Sequence, residues 1–373
     1  MHNIFIEDKG EMMKKQKIIL CGGGTLGHFT PNIAIFEALK GKYDFIYIGT
    51  KSGLEKGIAT KLMEYREVET AKLDRNLSFK SIISNFCIPF KLILGIRQAK
   101  KIIKKEKPAL IFSKGGFASV PVILAGHKLG VPCITHESDL SLGLANKLIA
   151  SKCKAVCTSF SVTASKVKNG VFTGTPIRKQ IFNGSAQKLK ADLNVNNPLP
   201  YILVLGGSLG SANINTAIRR SINELAKNFN ILHITGKGKI DNSKTYPKNY
   251  FQIEYAKNIE DYFALANVVI TRGGSNTLFE LLALKKPMLI IPLSAKVSRG
   301  DQIENAKYFN KSGFANILME EDLKGDVLQQ EIAKTLKMEY ALVGKMSATK
   351  TDGTKAVCEI IEKYVAHKFN KKN

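Results

Sequence analysis

A chain of 373 residues, 44% apolar and 23% charged, is long enough for two domains with separate cores and has the composition of an ordinary globular protein. Its longest apolar runs, such as Val120 to Ala125, fall far short of the roughly 18 residues of a membrane-spanning helix, and Ile4-Phe5-Ile6, followed by acids, is too short for a signal peptide. The net charge of +25 is uneven: between Lys80 and Lys179 stand 17 Lys and Arg against Glu106, Glu137 and Asp139, so an anionic partner is expected on this half. Nucleic acid is set aside as that partner, because tryptophan is absent and no aromatic-basic RNA-binding signature occurs.

In chain order, residues 1–14 read as an N-terminal extension, with Met12 or Met13 as an alternative start. Strand-like runs then follow at Lys17–Cys21, Phe45–Ile48, Leu110–Phe112, Cys133–Thr135 and Ala155–Cys157, alternating with helical patterns. The second half repeats this at Tyr201–Leu205, Ile231–Ile234, Val268–Thr271 and Met288–Ile291. Such alternation predicts an α/β protein with parallel sheets covered on both faces. The turn-rich stretches 183–185 and 194–200 put the domain boundary near residue 190, giving domains 15–190 and 191–354 and a terminal segment 355–373. Six cysteines at 21, 87, 133, 153, 157 and 358 form no disulfide framework, and a cytoplasmic compartment is expected. Cys153 and Cys157 are spaced to share a helical face, but no nearby His or Cys completes a zinc site.

The basic half contains an apolar stretch from Ile82 to Arg97, followed by Lys100, Lys101, Lys104 and Lys105. Two readings stand: an element lying at an anionic membrane surface, or a core-packing helix with a solvated lysine face.

Four strand ends break on glycines: Gly22-Gly23-Gly24, Gly115-Gly116, Gly206-Gly207 and Gly273-Gly274. A glycine turn leading into a helix aims free N–H groups at a ligand above the sheet, and phosphate is the group they suit. Gly22, Gly24 and Gly27 satisfy a dinucleotide fingerprint, yet the next strand ends Tyr47-Ile48-Gly49-Thr50-Lys51 without the acid that would hold a ribose. Gly206-x-Ser208-x-Gly210 matches a hydrolase nucleophile elbow, but a phosphate-cradling serine explains it without a triad. Thr30-Pro31 reads as an N-cap and first helical residue, which puts His28 at a helix mouth. His136-Glu137 ends another strand at a similar level, and Arg178 lies where it can reach an interdomain cleft.

Gly22-Gly23-Gly24-Thr25-Leu26-Gly27-His28 with Pro31, Ser113-Lys114-Gly115-Gly116-Phe117, His136-Glu137-Ser138-Asp139 with Gly143-Leu144-Ala145-Asn146, and Gly174-Thr175-Pro176-Ile177-Arg178 occur in the order of the MurG family. The same holds for Gly206 to Ser211 with Asn215, Arg272-Gly273-Gly274-Ser275 with Glu280-Leu281, and Gln302 with Asn305-Ala306. From about Lys15 to Tyr364 the chain resembles these bacterial peptidoglycan glycosyltransferases. The resemblance implies a GT-B architecture: two Rossmann-like domains with parallel sheets facing across a deep cleft, and a C-terminal helix crossing back to the first domain. It also implies transfer of N-acetylglucosamine from UDP-N-acetylglucosamine to lipid I, giving lipid II on the cytoplasmic face of the membrane, in cell-wall growth and division.

By the same resemblance, donor contacts fall on Thr25, Leu26, Gly27, Asp139, Arg178, Ser208, Ala256, Ser275, Asn276, Thr277, Glu280 and Gln302, with Glu280 on the ribose hydroxyls and Ala256 beside the uracil. Leu26 and Asp139 depart from the glycine and asparagine of many members. An inverting transfer needs a base for the acceptor proton and a counter-charge for departing UDP. The chain has no Asp-x-Asp pair, so no metal and no cofactor is expected, and helix N-termini at Ser208 and Ser275 with Arg178 take the charge instead. His28 is the favoured base and Glu137 the alternative. A nucleotide-sugar epimerase, another GT-B enzyme acting on a lipid such as a galactolipid synthase, and a nonenzymatic nucleotide sensor are the competing readings.

Overall fold

The computed structural model describes residues 15–23, 26–53, 55–70, 86–195, 197–207, 209–296, 298–323, 326–349 and 351–370, with the backbone alone at Leu26 and over 367–370. The N-terminal extension, Gly24, Thr25, Ser208 and the beginning of the basic apolar stretch, 82–85, lie outside them.

Two parallel sheets organise the chain. The first contains β1 (Lys17–Cys21), β2 (Asp44–Gly49), β3 (Glu64–Glu67), β4 (Leu110–Ser113), β5 (Cys133–Glu137), β6 (Ala155–Thr158) and β7 (Gly170–Phe172) in the order β3-β2-β1-β4-β5-β6-β7. The second contains β8 (Tyr201–Leu205), β9 (Asn230–Ile234), β10 (Tyr250–Ile253), β11 (Val268–Thr271), β12 (Met288–Ile290) and β13 (Asn316–Ile317) in the order β10-β9-β8-β11-β12-β13. In both, the order reverses beside the first strand, between β1 and β4 and between β8 and β11. Helices leave such a switch point on opposite faces and open a crevice above the strand ends, where α/β sheets bind ligands.

Burial on both faces explains the continuous apolar strands. In β1, Ile18 and Leu20 pack into one cluster while Ile19 and Cys21 pack into the cluster on the opposite face. β8 repeats this, with Leu203 and Leu205 on one side and Ile202 and Val204 on the other. All nine expected strands are present. Those not anticipated, β3, β7, β10 and β13, are edge or near-edge strands: Glu64-Tyr65-Arg66-Glu67 has no aliphatic side chain, and β13 is two residues long.

Several local expectations change. Residue 190 falls within a helix, and Ile177, Ile181, Leu189 and Val195 pack in one cluster with Leu203. The turn residues at 183–185 and 194–200 flank the helix Ala186–Leu193 rather than a linker. Gly174 and Thr175 meet the returning chain at Gly353 and Asp352. From there the helix Thr354–Asn370 returns to the first sheet: Val357, Cys358, Ile361 and Val365 share a cluster with Ile18 and Leu20, and Lys42 pairs with Glu362 at 2.7 Å. Phe29, not Thr30, is the N-cap of the helix Thr30–Leu39, and no side chain caps it. Cys153 and Cys157 share no helical face; Cys157 is on β6, and the two pack on opposite sides of the sheet.

The basic stretch forms the helix Ile88–Glu106. One face is buried through Gly95, Ala99 and Ile103 against the first domain. The other face leaves Phe86, just before the helix, and Phe90 79% and 70% exposed, with Ile93 and Leu94 also open to solvent and Arg97, Lys101, Lys104 and Lys105 continuing it. The helix thus has a core-packing face and an exposed apolar face flanked by cations. Among the described residues no helix is long and apolar enough to cross a membrane.

Candidate active site

The loops after β1, β4 and β5 face those after β8, β11 and β12 across the crevice. Two glycines set the shape of its walls. Gly116 has φ +78°, and a Cβ there would stand 2.6 Å from Gly23 O and 3.4 Å from the His28 ring, so the β4 turn closes against the β1 loop only as glycine. Gly273 lies so near the Gln302 carbonyl that a Cβ would meet it at 2.3 Å.

The two domains touch through polar side chains. Asn276, in the first turn of the helix Ser275–Ala283, donates to Gly27 O at 2.7 Å and accepts from Ser138 Oγ at 3.0 Å. Ser138 in turn accepts from the Lys114 ammonium. Asn305 donates to Asp139 Oδ1 and to Gly273 O, both at 3.0 Å, and accepts from Leu140 N. Gly27 and Asp139 of the first domain are thereby tied to Asn276 and Asn305 of the second. Ser275 and Thr277 lie at the helix start, buried and half-buried, and Gln302 accepts from Leu293 N at 3.1 Å on the neighbouring loop. Ala256 is buried in the second-domain core. Thr25 and Ser208 lie outside the described residues, as does the Leu26 side chain; the helix after β8 begins at Ala212, capped by Ser211 Oγ.

Arg178 and Glu280, expected on different parts of the donor, are paired with each other. Arg178 donates through Nε at 3.2 Å and Nη2 at 3.0 Å to Glu280 Oε1. Burial pushes the Glu280 carboxyl above its ordinary range, and the guanidinium draws it part of the way back.

His28 is half-buried on the β1 loop. Burial, reinforced by the Lys114 and Arg299 cations and opposed by Asp139, lowers its titration to about 4, so the imidazole is neutral at pH 7 and can accept a proton. Glu137 is differently engaged: Oε1 accepts from Asp139 N at 3.1 Å, and Oε2 from Gly143 N and Asn146 Nδ2, each at 2.8 Å. Burial and then Asp139 raise its pKa. That pattern ties the loop 137–143 into a closed turn. His136, its neighbour on β5, is buried and bonds Gly174 O at 2.9 Å.

Sequence reasoning passed over Lys114, Ser138 and Asn305 as site residues. Lys114 and Ser138 each follow a strand end at the crevice, the signal that singled out His28. Arg272 is a buried support, donating to Ser211, Glu320 and the Ile291 and Pro292 carbonyls. Among the described residues no group of three or more His, Cys, Asp or Glu side chains is placed to hold a metal.

This arrangement, a neutral imidazole on one domain facing a helix N-terminus and an arginine–carboxylate pair on the other, suits transfer of a group held as a nucleotide ester to a hydroxyl. The models of the glycosyltransferase family 28 N-terminal and C-terminal domains match residues 18–158 and 201–361. A UDP-N-acetylglucosamine–N-acetylmuramyl-(pentapeptide) pyrophosphoryl-undecaprenol N-acetylglucosamine transferase of Clostridium tetani is 45% identical over 360 residues, covering 95% of this chain and 99% of its own. The enzyme of the same name from Clostridium kluyveri is 45% identical over 355 residues, covering 94% and 99%. Among solved structures, MurG of Acinetobacter baumannii superposes with a TM-score of 0.71 at 22% identity, covering 93% of this chain and 99% of that one. The glycotransferase of kitacinnamycin superposes equally well, TM-score 0.71, at 14% identity over 94% and 99%. These two fits support the GT-B fold, and with both domain models and near-full-length relatives in agreement, the chain belongs to glycosyltransferase family 28.

Proposed function

We propose that the protein transfers N-acetylglucosamine from UDP-N-acetylglucosamine to the lipid-linked N-acetylmuramoyl-pentapeptide named in its relatives, with inversion at the anomeric carbon. The observation that carries the geometry is the 2.7 Å bond from Asn276 to Gly27 O, which brings the donor-side helix start to the loop of the candidate base. The acceptor hydroxyl oxygen attacks the anomeric carbon from the face opposite UDP. Its proton passes to His28, the new C–O bond forms, and the bond from that carbon to the diphosphate oxygen breaks. Arg178 and the N–H groups at Ser275 meet the charge gained by UDP, and Glu280 holds the ribose hydroxyls. Glu137 shapes the acceptor-side loop.

The exposed Phe86, Phe90, Ile93 and Leu94, followed by cations, support a peripheral stance on the anionic cytoplasmic leaflet, where a polyprenyl acceptor resides. Purified protein incubated in EDTA with UDP-N-acetylglucosamine and a short-chain lipid I analogue tests the reading. A β-linked disaccharide product is expected; no product, with or without added magnesium, refutes it.

A further inference from the structure

Lys114 is a strongly basic group sunk into this crevice whose charge the reaction as described does not use. It follows β4 directly and is 3% exposed. Its ammonium donates to a neutral hydroxyl, Ser138 Oγ, and among the described residues it forms no ion pair. Taking an ammonium out of water without a matched carboxylate costs several kcal/mol. The nearby carboxylates are committed elsewhere: Glu137 to the backbone N–H groups of Asp139 and Gly143 and to Asn146, and Asp139 to Asn305. A methionine would fill a similar volume at less cost, so the charge calls for an explanation beyond packing.

We propose that Lys114 is a positioning residue of the transfer reaction: its ammonium ties Ser138 into the hydrogen-bond chain that joins the domains through Asn276, and it presents a positive charge to His28. The first part follows from the run of bonds Lys114–Ser138–Asn276–Gly27, which begins in the first domain, crosses to the donor-side helix and returns to the His28 loop. The second follows from the surroundings of His28, which is faced by Lys114 after β4, Asp139 after β5 and Arg299 from the second domain. Lys114 itself is faced by Glu137, Asp139 and Cys157 and by the imidazoles of His28 and His136, and its burial draws it down to about 8, so it remains mostly charged at neutral pH. Burial is the larger cause of the lowered His28 titration, and the Lys114 charge adds to it. The catalytic part of this inference rests on reading His28 as the base.

The test is an NMR titration of His28 in histidine-labelled full-length protein, its resonance assigned by comparison with His28→Gln, alongside the pH dependence of kcat. In Lys114→Met the His28 midpoint is expected to rise by on the order of 1 pH unit, with the acid limb of kcat moving equally. Ser138→Ala should leave the midpoint in place and raise the donor KM several-fold. A midpoint and acid limb unchanged in Lys114→Met overturn the proposal. A midpoint that moves without the acid limb shows that His28 is not the base and removes the catalytic role, while His28→Gln retaining full activity refutes the base reading by itself. Should Lys114→Met fail to fold, the parent protein decides: the His28 ring shifts should inflect again near pH 8 as Lys114 loses its proton, and a flat curve there overturns the proposal.

Discussion

Replacing Glu280 by alanine isolates the donor-binding role of the Arg178–Glu280 pair. One Glu280 carboxylate oxygen receives two donors from a single guanidinium, at 3.2 and 3.0 Å, on a residue that is only 9% exposed. On the proposed reading, donor binding exchanges this pair for contacts of Arg178 to the diphosphate and of Glu280 to the ribose hydroxyls. Hydrogen bonds to a charged group contribute about 1.5–3 kcal/mol. Two hydroxyls on one carboxylate, offset by the pair given up, leave a net of about 2–3 kcal/mol, or roughly 30- to 150-fold in donor KM. Glu280→Gln keeps an acceptor oxygen without the charge, and its KM should fall between the parent and the alanine variant. Initial rates against UDP-N-acetylglucosamine concentration, with acceptor saturating, measure both constants. A Glu280→Ala enzyme with parental KM and depressed kcat would refute the reasoning, since it would place the carboxylate on the reacting centre instead of the ribose.

His28→Ala should lower kcat by roughly 10²–10⁴-fold and leave UDP affinity by calorimetry nearly unchanged; near-parental kcat would exclude His28 as the base. Because His28 titrates at about 4, the acid limb of kcat/KM should lie near that pH and not near 6.5, a difference a pH–rate profile resolves directly. His233, bonded to Tyr250 and Asn215 and lowered to about 3 by burial, takes up its proton more readily in the unfolded chain. Its contribution to stability is therefore full above pH 6.5 and lost as pH falls toward 3, so the melting temperature of His233→Gln should vary less than the parent's over that window. Replacing Lys100, Lys101, Lys104 and Lys105 by glutamine should weaken binding to anionic vesicles, at about 1 kcal/mol per lysine in low salt, while sparing turnover of a water-soluble acceptor. Equal co-sedimentation of parent and variant at both low and high salt would reduce these lysines to a solvated face.

The sequence alone determined the layered α/β plan, because strands buried on both faces must be apolar throughout, and Lys17–Cys21 and Tyr201–Leu205 are. It also determined which strand ends carry ligand chemistry, since glycine turns before helices leave a local signature. Strands such as Glu64–Glu67 escaped notice because sheet-edge pairing gives their side chains no reason to be apolar. Turn residues such as those at 183–185 mark a change of direction, whereas the cluster that Ile177 and Leu189 join is decided by which core has room for them. Tertiary structure alone decided that Arg178 and Glu280, 102 positions apart, pair with each other, and that Asn276 reaches Gly27 across 249 positions. Contacts of that kind depend on how two separately folded sheets are held face to face, and no local pattern of residue types encodes that distance.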